Sequence, residues 1–103
     1  MKTIELREMQ AFSPAGPRSV LLADGPPARY ALFCLEPGQA VPAHVSPSAV
    51  SLTVLEGEGS VTGAEGEAAI KAGTMVLFAP NEPHGFTART RLVALAAITP
   101  RPT

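Results

Sequence analysis

The 103 residues suffice for one ordinary domain spanning 1–103 and leave no room for two. A hydrophobic fraction of 46% against 17% charged residues gives enough apolar material for a core and excludes a disordered chain. Eight basic and nine acidic residues are scattered along the chain to a net charge of −1. That leaves no cationic run to track a phosphate backbone, so no nucleic-acid partner is expected.

The chain shows strand periodicity and almost no helix periodicity. Eleven prolines interrupt it, and its apolar segments are short and bounded by Gly, Pro or Asp. A first strand is expected over 3–7. There the N-terminus Met1-Lys2-Thr3-Ile4-Glu5 places a carboxylate where a signal peptide carries an apolar stretch. Strands at 18–23 and 29–36 follow across Pro26-Pro27. The second of these carries Tyr30 and Cys34 on one face, where both are expected to pack in the core. Cys34 is the only cysteine and has no internal disulfide partner, which favours a cytoplasmic location.

After Pro37-Gly38 come strands at 41–45, 49–56, 58–63, 66–71, 74–79, 84–89 and 91–98. In Val50-Ser51-Leu52-Thr53-Val54 the aliphatic residues share one face and the hydroxyls the other. Gly63-Ala64-Glu65-Gly66 reads as a hairpin loop, and Pro80-Asn81 as a turn that asparagine suits by tolerating left-handed backbone. In the strand from His84, alternation turns His84, Phe86 and Ala88 inward and Thr87 and Arg89 outward. The run Leu92 to Ile98 is far short of the roughly 20 residues that span a bilayer, so no membrane partner is expected. It is apolar at both parities and needs cover on both faces. One cover is the interior and the other a partner subunit, or else the N-terminal strand; a homodimer is the expectation. The tail, Thr99 to Thr103, reads as a frayed end. Short strands at regular turn spacing predict an all-β sandwich or barrel.

Two segments resemble the paired motifs of the cupin family. Gly38 is followed by five residues and His44, and Gly57 closes the first motif inside Val54-Leu55-Glu56-Gly57-Glu58. The second runs from Gly73 to Ala88 with His84 in place, behind Pro80-Asn81-Glu82-Pro83. The fifteen residues between Gly57 and Gly73 match the spacer of small single-domain cupins. The resemblance implies a double-stranded β-helix, or jelly-roll barrel, with one interior pocket, often in a dimer.

It also implies a ligand set of three histidines and a glutamate, from which this chain departs. The second histidine position is Ser46 and the glutamate position is Val50, and no third histidine exists. A catalytic metal site usually needs three protein ligands and an open position. Glu82, Glu56 or Cys34 would have to supply the missing donor. Three readings of His44 and His84 stay open: hydrogen-bonded remnants, polar groups orienting an anionic or carbonyl-bearing ligand, or metal ligands.

The favoured function is binding of a small polar or anionic organic molecule in a pocket lined by His44, Ser46, Val50, Leu52, His84 and Phe86. No cofactor is expected beyond a weakly held divalent metal. The alternatives are a metal-dependent oxygenase or isomerase using His44, His84 and a third donor, and a structural dimer with a packed barrel. No catalytic residue is assigned.

Overall fold

A computed structural model describes residues 1–102. The apolar segments form nine strands: β1 (Arg18–Gly25), β2 (Ala28–Leu35), β3 (Ala40–His44), β4 (Ala49–Glu56), β5 (Glu58–Gly63), β6 (Gly66–Lys71), β7 (Met75–Phe78), β8 (His84–Ala88) and β9 (Leu92–Thr99). All pairs are antiparallel. One sheet has the order β1-β2-β9-β4-β7 and the other β3-β8-β5-β6. This is the jelly-roll, double-stranded β-helix architecture. No helix among the described residues is long and apolar enough to cross a membrane.

The main core lies between the sheets. Val50, Leu52 and Val54 of β4 meet Leu92, Ala94 and Ala96 of β9, with Val61, Ile70, Phe86 and Ala88 facing them from the smaller sheet. Alternation places these side chains inward, and Ser51 and Thr53 point the other way. Gly57 closes the β4–β5 turn at φ 86°. A Cβ there would lie 2.0 Å from the Arg91 carbonyl oxygen, so both conformation and space require glycine.

β9 is buried on both faces over its first half, Leu92, Val93 and Ala94. Its outer side carries Val93 and Leu95, which join Leu22, Leu32 and Cys34 in a second apolar cluster. The cover is the chain's own N-terminal segment: Ile4, Leu6, Met9 and Phe12 pack there. That segment is not the strand expected over 3–7. It contains a 3-10 turn at Leu6–Met9, with the Glu8 N–H donating to the Glu5 carbonyl at 3.0 Å. Apolar residues at positions 4, 6, 9 and 12 suit a segment that lays side chains down on one surface, not strict alternation. Phe12 is further held under the Arg91 guanidinium, 3.8 Å from the ring centroid.

The tail is docked, not frayed. Thr99 ends β9, the buried Ser48 hydroxyl donates to the Pro100 carbonyl at 2.6 Å, and the Arg101 N–H donates to the Pro26 carbonyl at 3.3 Å. Only Thr103 of the expected frayed end lies outside the described residues. Of the pair expected in the core, Cys34 is fully buried, whereas Tyr30 is 42% exposed on the same outer face. Tyr30 lies in a cross-sheet row with Ala97, Ser51 and Leu77, outside the N-terminal cover.

Candidate functional site

The site begins with the pairing of β3 and β8, which sets His44 opposite His84. The rings meet edge to face, with centroids 4.2 Å apart and planes inclined at 61°. His84 is buried and leans on Phe78 at 5.1 Å, whereas His44 lies at the exposed edge. Each ring is aimed by the backbone two residues before it. The His44 Nδ1 bonds the Pro42 carbonyl at 3.1 Å and the His84 Nδ1 bonds the Glu82 carbonyl at 2.9 Å. A carbonyl oxygen only accepts, so both bonds assign the proton to Nδ1. In the neutral rings each Nε2 is then a bare acceptor. Among the described residues no buried side-chain nitrogen or oxygen lacks a partner, so the unpartnered His84 Nε2 is not sealed in the core.

The loops bearing the histidines are fastened to each other. Asn81, in left-handed backbone at φ 65°, donates its N–H to the Ser46 carbonyl at 2.7 Å. Glu82 anchors the same loop: its carboxylate accepts the Ala79 N–H at 3.0 Å and the Ala64 N–H at 3.1 Å. These bonds fix the Glu82 carbonyl that aims His84. The Ser46 hydroxyl oxygen accepts the Ser48 N–H at 3.2 Å, within its own loop.

Between the sheets lies a cavity of about 330 Å³, and His44, Ser46, Val50, Leu52, His84 and Phe86 all line it. Sequence reasoning missed Arg29, Phe33, Phe78 and Pro102 in the same lining. Arg29 and Phe33 share the parity of the buried Ala31 and Leu35, which is a signal that alternation carried. Phe78 ends an apolar run. Nothing in the sequence marks Pro102, which reaches the cavity only because the tail is docked.

The donors present do not fit a three-ligand metal centre. Val50 carries no donor atom, and the candidate third ligands point elsewhere. The Glu82 carboxylate is turned to the loop N–H groups, Glu56 is bonded by the Gln10 side chain, and Cys34 sits in the outer cluster. Among the described residues no group of three or more His, Cys, Asp or Glu side chains could hold a metal ion.

The family described as Cupin domain matches residues 31–98. The chain belongs to the cupin family. Among solved structures, TT1209 from Thermus thermophilus is 28% identical with a TM-score of 0.94, over 99% of this chain and 100% of that one. An RmlC-like cupin protein from Desulfovibrio desulfuricans is 26% identical with a TM-score of 0.90, over 97% of each chain. A conserved protein with a double-stranded β-helix domain from Klebsiella pneumoniae is 20% identical with a TM-score of 0.90, over 98% of this chain and 91% of that one. Curated protein sequences give no match.

In this cupin the Glu82 carboxyl is held below its ordinary range, first by the Ala79 N–H and then by the Ala64 N–H, against a push upward from burial, with the least contribution a pull from His84 when that ring is charged. A group depressed in the folded state contributes stability that is full above its unfolded value, near 4.3, and is lost as pH falls through the lower folded value. Glu82→Gln therefore lowers the urea midpoint at pH 7. The gap between variant and parent closes on acidification below about pH 4. Urea titrations at both pH values check this, and a gap that is unchanged at pH 3 contradicts the anchoring role.

Proposed function

We propose that this cupin binds a small organic molecule in the inner cavity, holding a hydrogen-bond donor of the ligand against His44 and His84 without a resident metal. One observation carries the reading: both imidazoles engage Nδ1 with the backbone, leave Nε2 without a protein partner, and line a cavity whose other side chains are mainly apolar. A mostly apolar concavity of a few hundred Å³ with convergent polar groups is the ordinary form of a ligand site. The tautomer refines the sequence expectation. Neutral rings of this kind repel a carbonyl or anion at Nε2 and accept from a hydroxyl or N–H.

Phenol, an apolar body with one donor, is the simplest probe. Titration should move the ring signals of His44 and His84 in long-range proton–nitrogen spectra, and His84→Phe should weaken binding at least about tenfold, the worth of a buried hydrogen bond. Phenol that leaves both imidazoles undisturbed contradicts the reading.

A metal-dependent oxygenase or isomerase is the second reading, favoured by the same Nε2 atoms, which a divalent ion could take. Purified without added metal, the protein should hold transition metal well below one equivalent. Ser46→His with Val50→Glu rebuilds a three-imidazole, one-carboxylate set suited to several divalent ions. The pair of substitutions should destabilise the metal-free protein on the order of 3–5 kcal/mol, because it buries an uncompensated carboxylate, and added metal should restore stability. A full equivalent in the unmodified protein would promote the enzyme reading.

The proposed homodimer is supported by the exposed side chains of Tyr30, Met75 and Leu77 on the part of the larger sheet's outer face that the N-terminal segment does not reach. Light scattering at micromolar concentration should give twice the chain mass; a monomer mass refutes it.

A further inference from the structure

The cavity has two polar ends, and they differ in chemistry. Across the inner face of the larger sheet, the register places Asp24, Arg29, Ile98, Val50 and Phe78 in one row over β1, β2, β9, β4 and β7. At the β7 end, Phe78 carries the tilted ring of His84, with His44 beside it. At the β2 end stands Arg29, the only charged side chain in the lining apart from whatever charge the imidazoles take up; no carboxylate lines the cavity among the described residues. Between them the row is Ile98 and Val50. Three interstrand steps separate Arg29 from Phe78, roughly 14 Å between backbones, a span shortened from both sides by the side chains.

The two ends select opposite partners. The histidine end offers bare acceptors and takes a donor. The Arg29 end is a guanidinium with five N–H donors, and its one acidic neighbour is held loosely: Nε to the Asp24 Oδ1 and Nη2 to Oδ2 are both 3.5 Å. A close guanidinium–carboxylate pair lies nearer 2.7–2.9 Å, so Arg29 has donors to give to a second anion. Asp24 is also shared with Arg101 at 3.8 Å, which leaves it a cationic partner if Arg29 turns inward.

We propose that the ligand is an elongated phenolic carboxylate, its carboxylate on Arg29, its ring over Ile98 and Val50, and its hydroxyl donating to the His44–His84 pair. This rests on the donor-binding reading above and adds the second, anionic end.

Calorimetric titration of the full chain with three probes tests it: 4-hydroxycinnamate with both ends, cinnamate without the hydroxyl, and 4-vinylphenol without the carboxylate. The two-ended probe should bind at least about tenfold more tightly than either truncated one, as each end adds a hydrogen bond, one of them charge-assisted. Arg29→Met keeps the apolar stem and removes the charge. It should weaken 4-hydroxycinnamate about tenfold and leave 4-vinylphenol unchanged. Replacing both acceptors, His44→Phe with His84→Phe, should erase the difference between 4-hydroxycinnamate and cinnamate. Equal affinity of 4-hydroxycinnamate and 4-vinylphenol, or no effect of Arg29→Met, overturns the anionic end while the donor-binding site stands. No binding by any of the three overturns the ligand class even where phenol still binds. Failure of phenol as well overturns the site itself.

Discussion

Burial of β9 on both faces is the constraint from which the rest of the molecule follows. A strand with Leu92, Val93 and Ala94 all withdrawn from water needs a layer on each side, because each exposed aliphatic side chain forgoes about 1.5–3 kcal/mol. The inner layer is the smaller sheet and the outer layer is the N-terminal segment. The inward sequence of β9 also decides where the core is filled and where it is open. Leu92, against Leu35, closes one end, and the short Ala96, between Leu52 and Ala31, leaves room toward the other. The cavity is thus a product of side-chain volume along a single strand, placed at the end where β3 and β8 deliver their histidines.

The orientation of those histidines is settled by the fold itself. Two carbonyls take up the Nδ1 protons, and the Asn81–Ser46 bond ties together the loops that carry both rings. Such positioning lowers the ordering cost that a ligand would otherwise meet on binding. Glu82 takes part twice, through its carbonyl on His84 and through its carboxylate on the neighbouring N–H groups. Its place beside the site is structural, and its carboxylate is not directed at the cavity.

Local pattern made much of this legible. Strands β4, β5 and β6 coincide with the alternating segments 49–56, 58–63 and 66–71, since each has an inward aliphatic set or a hairpin glycine to fix its register. The inward turn of His84 followed from its parity with Phe86 and Ala88. The N-terminal segment escaped because apolar content there serves tertiary cover, and a cover needs no ladder. Tyr30 escaped because parity tells which face a residue is on but not how far the opposite layer extends. The tail and Pro102 escaped because Ser48, which fastens them, is 52 residues away in sequence.

Serine at position 46 and valine at position 50 shape what the cavity presents. A carboxylate at position 50 would sit between Phe78 and Ile98, where desolvation is severe unless a cation neutralises it. Valine there offers no donor atom and gives the middle of the cavity an apolar wall. The polar side chains of the lining are then His44, Ser46 and His84 toward one end and Arg29 at the other. Neither end can substitute for the other: a neutral imidazole with Nδ1 committed has no proton to offer an anion, and a guanidinium has no lone pair to offer a hydroxyl. For the two-ended ligand proposed above, orientation would follow from the chemistry at both ends, and length from the sheet between them.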